Sequence, residues 1–175
     1  MDSGFTEFDF ALRDGRIVHV RAMRLTDEEE LVQAFARMSN DARYMRFMRF
    51  VREPNLERVR QVLASFPARG TGIVATVPAA DGIDIVGSAT CLVGNDSAIC
   101  EFAITVVSEF GGVGLASTLL AALIGAAKSR GLVEMEGYVL AANQPMLRLA
   151  RRLGFSVAPD PEDRNVRICR LRLDA

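Results

Sequence analysis

Two features of the sequence have residue types and spacing suited to chemistry. One is the run FGGVGLASTLL, Phe110 to Leu120, where Gly111, Gly112 and Gly114 separate a strand-like stretch from a helix-like one. Glycine allows a sharp turn and close approach of the backbone to a ligand. A helix start adds free N–H groups and the positive end of a dipole, which suits a phosphate. The other feature is Glu101, the only acid between Ala98 and Val107. Alternation along that stretch puts Cys100, Phe102, Ile104 and Val106 on one face, with Ile99, Glu101, Ala103 and Thr105 on the other. Both faces are mostly apolar, so the strand is expected to be central and Glu101 poorly solvated. Desolvation raises a carboxyl pKa and suits it to taking a proton near neutral pH. The competing expectation is that Glu101 simply pairs with one of the arginines.

Two nucleotide ligands compete for the glycine run, beside a purely structural role as a tight turn. A Walker loop needs a lysine after its last glycine, but Leu115 and Ala116 follow Gly114, which excludes it. A dinucleotide fingerprint is met at Gly112 and Gly114 but has Ser117 in its third place; Glu134 and Glu136 lie near the spacing of a ribose contact. That fingerprint normally follows the first strand of a parallel sheet, whereas several antiparallel strands precede this one.

The elements around the two features follow from periodicity. Alternating residues in FDFAL and RIVHVRAM flank Arg13-Asp14-Gly15, a hairpin signal. Thr26 and Glu29 have the spacing of a capping box at the head of a helix carrying Leu31, Val32, Phe35 and Met38. A second helical stretch, Ala42 to Phe50, leads a stripe of Arg43, Arg46, Arg49 and Arg52; a third opens at Pro54-Asn55. Three strands joined by short turns follow: Gly72 to Val77, Ile83 to Val93 and Ala98 to Val107. Beyond the glycine run come a helix (Leu115 to Arg130), a strand (Leu132 to Leu140) and a helix from Asn143 or Gln144 to Leu153. The final strands are Phe155 to Ala158 and Val166 to Leu173. The fold class is therefore α/β (α+β): a mixed, mostly antiparallel central sheet flanked by helices, with one parallel crossover. An open α/β sheet places its ligand crevice at such a crossover.

Composition narrows the function. A chain of 175 residues, half hydrophobic, is expected to form a single domain over 1–175. A net charge of −1 creates no field that would recruit nucleic acid or a membrane surface. The acidic start MDSGFTEFDF lacks the pattern of a secretion signal, and the apolar stretch Leu115 to Ala127 is too short to span a bilayer. A cytoplasmic protein with reduced thiols at Cys91, Cys100 and Cys169 is expected. A two-residue turn at Asn95-Asp96 would put Cys91 opposite Cys100. No Cys or His spacing suggests a metal site, and mid-strand His19 is expected to be structural. The arginine stripe is expected to be a solvated face, the alternative being a rim that recognises an acidic acceptor or grips phosphates.

Taken together, CEFAITVVSEFGGVGLASTLL and VLAANQPMLRLARRLGF resemble the core of the GNAT acyltransferases: an acidic strand leading into R/Q-x-x-G-x-G/A, then an Asn-containing strand-to-helix motif ending in L-G-F. Within that superfamily, LRDGRIVHVRAMRLTDEEE and SNDARYMRFMRF are most similar to the acyltransferase domain of bacterial Pat-type protein lysine acetyltransferases. The resemblance implies acetyl-CoA as co-substrate and no metal. Backbone groups of Gly111, Gly112, Val113, Gly114, Leu115, Ala116 and Ser117 would hold the pyrophosphate. Ile104, Thr105 and Val106 would offer strand-edge groups to the pantetheine arm, and Asn143 would contact the same arm or cap its helix. Glu101 would be the general base for a primary amine, either a protein lysine or a small molecule. Direct transfer is implied, since no cysteine stands where a covalent carrier would be needed. A homodimer through the final strands is compatible with the pattern. Two positions depart from the family: Gly111 replaces the loop's Arg or Gln, and Ala150 stands where many relatives carry a tyrosine that protonates the thiolate. Those departures keep open an alternative, a weak or inactive acyl-CoA sensor.

Overall fold

The computed structural model describes residues 4–174; the first three residues of the acidic start and the last residue lie outside that range. Eight strands form one sheet in the order β1-β2-β3-β4-β5-β6-β8-β7. They are β1 (Phe8–Ala11), β2 (Ile17–Ala22), β3 (Gly70–Ala79), β4 (Gly82–Val93), β5 (Ile99–Val106), β6 (Glu134–Leu140), β7 (Ser156–Pro159) and β8 (Val166–Arg172). Every neighbouring pair is antiparallel except β5 and β6, which run parallel across the crossover helix α4 (Leu115–Ser129). The expected mixed sheet with one parallel crossover is the observed fold.

The other helices are α1 (Glu28–Ala36), α2 (Asn40–Phe47), α3 (Leu56–Ser65) and α5 (Gln144–Arg152). Ser39 and Asn55 cap α2 and α3 with side-chain oxygens that accept from the N–H groups of Ala42 and Arg58. The first three helices cover the sheet face that carries Glu101 and Thr105, while α4 and α5 cover the opposite face. On that second face Leu115, Leu119, Leu120 and Leu123 are completely buried. Gly137 of β6 lies directly beneath the Phe102 ring, with no room for a Cβ, and Phe102 meets Phe155 edge-on at 5.2 Å.

Two local expectations are corrected. Thr26 and Glu29 form no capping box: Leu25–Asp27 make a 3-10 turn that runs straight into α1. Asp27 takes over the entry, accepting from the Arg24 N–H at 2.8 Å and from two Arg21 nitrogens at 2.9 Å. A buried guanidinium demands a carboxylate partner, and that demand decides the local geometry. The β4–β5 connection is also longer than two residues. Asp96 accepts from the Ala98 N–H, so Val93 pairs with Cys100 and Cys91 with Phe102. Cys91 and Cys100 are thus diagonal neighbours, both buried thiols, as is Cys169.

Candidate active site

The site begins where β5 and β6 part. They pair only at Ile99–Glu134, Cys100–Met135 and Glu101–Glu136. β5 stays on β4 as far as Val106, while β6 follows β8 along its whole length. Each strand keeps its antiparallel partner, so a wedge opens between them. From Phe102 to Val106 the β5 backbone has no strand neighbour on that side, and its polar groups are free to bond to an extended ligand.

Glu101 occupies the apex of the wedge. It is reached from two cavities: one of about 450 Å³ beneath α3, lined by Arg58, Gln61 and Glu136, and one of about 550 Å³ beneath α2. The second cavity runs along Phe102–Val106 and includes Arg46, Arg49, Tyr138 and Asn143. Glu101 is exposed to these cavities, not enclosed between apolar layers as the alternation of β5 implied. Loss of hydration still pushes its carboxyl above the usual carboxylate range, and the neighbouring Glu136 adds to this, while Arg46 and Arg58 pull it down.

Val106 also lines a third cavity, of about 530 Å³, formed by Gly111, Gly112 and Gly114–Ser117 at the head of α4. Gly112 and Gly114 have φ of +73° and +94°, a left-handed backbone that side-chain-bearing residues rarely adopt. Gly114 is the N-cap and offers no side-chain cap, so the first-turn N–H groups are free to meet an anion. Arg13, Arg148, Arg151 and Arg152 surround them. Val113 belongs to the loop but lines no part of this cavity; its carbonyl accepts from the Arg13 N–H at 3.1 Å. Asn143 Oδ1 accepts from Met146 N–H at 3.4 Å, which makes it the cap of α5 within reach of the wedge.

Several of these residues were missed from sequence. Arg13 lies nearly a hundred positions from the loop it serves, and only the β1–β2 hairpin brings it there. A methyl group on Gly114 would touch its guanidinium at 3.5 Å. Tyr138 looked like one more strand residue, yet it lines the Glu101 cavity, and Glu136, burial and Glu101 push its pKa up. Alternation on β6 was the available signal, since it places Tyr138 on the same face as Glu136. Ala150, where the resemblance led a tyrosine to be expected, is wholly buried. The arginine stripe divides: Arg43 binds the carbonyls of Phe35 and Ala36, whereas Arg46 and Arg49 face the cavity. His19 sits on the hairpin, 2.7 Å from Asp9, remote from this chemistry. Among the described residues, no group of three or more His, Cys, Asp or Glu could hold a metal ion. Among the same residues, no helix is long and apolar enough to cross a membrane.

The chain is similar to known proteins over most of its length. The acetyltransferase (GNAT) domain family matches residues 18–156. Acetyltransferase PA5475 of Pseudomonas aeruginosa is 31% identical over 163 residues, 93% of this chain and 88% of that protein. Among solved structures, the GNAT domain of S. lividans PAT superposes with a TM-score of 0.85 at 23% identity, covering 95% of this chain and 96% of that one. The yncA structure from Salmonella typhimurium, with its cofactor acetyl-CoA, gives 0.69 at 19% identity over 90% of this chain and 95% of that one. A wedge with a carboxylate at its apex and a glycine loop at its mouth thus sits on a chain that belongs to the GNAT acetyltransferase family.

Proposed function

We propose that the protein transfers the acetyl group of acetyl-CoA to a primary amine by direct attack, with Glu101 as general base. One observation carries this reading: the unpaired β5 edge leads from Glu101 straight to the glycine loop. Over the five residue steps from Glu101 to Val106 that is roughly 17 Å. The free amides of Gly111–Ser117 and the arginines around them fit a diphosphate. The Ile104–Val106 edge and Asn143 fit an amide-bearing arm laid along the wedge as an added strand. When bound, acetyl-CoA supplies an activated acyl group at the apex.

Glu101 takes the proton that an ammonium group must lose before its nitrogen can attack. A carbon–nitrogen bond then forms, the carbon–sulfur bond breaks, and the thiolate needs a proton. Tyr138 supplies it; a phenol whose pKa is pushed up stays protonated at neutral pH. No thiol acts as an acyl carrier, because all three cysteines are buried. Tyr138 and Arg13 stand in for the two groups missing at Ala150 and Gly111, which favours an active enzyme over an inactive sensor.

The test is a paired measurement of binding and turnover. Saturating acetyl-CoA should raise the melting temperature of both wild type and Glu101→Gln, while the variant loses on the order of 100-fold or more in amine acetylation. Absence of stabilisation by acetyl-CoA would overturn the reading, and full turnover by Glu101→Gln would overturn the base.

A further inference from the structure

Arg46 of α2 is a cation in an unusual position. Its Nε is buried and has no hydrogen-bond partner. Burial lowers its pKa, nearby Arg58 adds to that effect, and the charge opposing it is Glu101. Among the described residues neither Arg46 nor Arg58 takes part in an ion pair, although both guanidinium groups act on the Glu101 carboxyl. The Arg46 guanidinium carbon lies 4.8 Å from the centroid of the Phe47 ring, and the buried Nε has no acceptor, which costs free energy until one is supplied. The charge therefore calls for an anion brought in by a ligand.

Three parts of the reacting pair could bring that anion, and two are poorly placed. The diphosphate belongs at the glycine loop, roughly 17 Å along β5 from Glu101. An acetyl group carries no charge. That leaves the acceptor. Arg46 lines the cavity beneath α2 and Arg58 the one beneath α3, and Glu101 stands in the wall of both. An amine with no acid of its own would meet two guanidiniums beside its base and be disfavoured.

We infer that the acceptor is an amine that carries its own carboxylate, an amino acid or the end of a peptide, with its amine on Glu101 and its carboxylate on Arg46 and Arg58. This rests on the acetyl-transfer reading above. The two positive groups and the Glu101–Glu136 pair together complement a zwitterion.

Initial rates of CoA release at saturating acetyl-CoA test this with matched probes: the common amino acids against their methyl esters, and short peptides with free against amidated C-termini. Acids should exceed their esters or amides in kcat/KM by on the order of 10- to 100-fold. In Arg46→Ala and in Arg58→Ala that ratio should collapse toward one, chiefly through KM for the acid. Arg58 is exposed on α3, so its variant remains informative should Arg46→Ala fold poorly. Equal rates for acids and esters, or a preference that survives both substitutions, would overturn the inference. So would an Arg46-dependent preference for succinyl-CoA over acetyl-CoA, which would put the carboxylate on the acyl group. Should none of the probes turn over, thermal stabilisation of the CoA complex decides: stabilisation by acids and not esters supports the inference, and none by any acid ends it. Failure of the acetyl-transfer reading looks different, as an absence of stabilisation by acetyl-CoA itself.

Discussion

Glu101 and Glu136 stand opposite each other at the last paired position of β5 and β6, two carboxylates side by side at the point where the strands part. Arg170 lies 3.6 Å from Glu136 and holds it in place. The pair raises the proton affinity of Glu101, an effect second only to its loss of hydration, and Arg46 and Arg58 oppose it. The position is thus tuned from both directions.

The acid limb of kcat/KM against pH should report that tuning, because activity rises as Glu101 loses its proton. Glu136→Gln removes a cause that raises the pKa, so the limb should move to lower pH. Arg58→Ala removes one that lowers it, so the limb should move to higher pH. A limb unmoved by both substitutions would mean that another group titrates.

Tyr138 predicts the opposite end of the profile. As the donor to the leaving thiolate it must be protonated, so activity should fall at alkaline pH as the phenol ionises. Tyr138→Phe should lower kcat by roughly 10- to 100-fold and abolish the alkaline limb, with acetyl-CoA affinity retained. A variant with wild-type kcat would return the proton to water.

Periodicity carried most of this fold and half of the site. The strand order and the parallel crossover were legible because alternation, hairpin turns and helix caps are local signals, and the glycine run and Glu101 lie within one such stretch. The wedge was not legible: it depends on β5 keeping β4 and β6 keeping β8, a choice made between strands and written in neither. Arg13 was missed for the same reason, and Arg46 was expected on a solvated face, with a substrate rim as the alternative. One reaches the loop through the β1–β2 hairpin, and the other lies in a stripe whose members meet different surroundings once α2 docks. The Thr26–Glu29 motif misled, since a capping box has no means of registering that Arg21 is buried nearby and takes Asp27.

Arg13 should matter to the cofactor alone. Its backbone N–H is bonded to Val113 and its guanidinium lies over Gly114, at the mouth of the wedge and away from Glu101. Arg13→Ala should raise KM for acetyl-CoA by about tenfold with little change in kcat, and should weaken the salt dependence of acetyl-CoA binding. An equal fall in kcat would show that the hairpin also shapes the apex.

The Arg21–Asp27 pair makes a stability prediction independent of catalysis. The two residues are 7% and 4% exposed and share two 2.9 Å hydrogen bonds, with a third from the Arg24 N–H to Asp27. Asp27→Ala strands a buried guanidinium and releases the start of α1, so unfolding free energy should drop by about 3–5 kcal/mol. Arg21→Met together with Asp27→Leu leaves no buried charge and should recover much of that loss, because the penalty comes from the unpaired ion more than from the missing bond. Denaturant titration of the two single variants and the double variant measures the difference. Simple additivity of the single losses would show that the two residues act separately, and that something other than this pair sets the entry to α1.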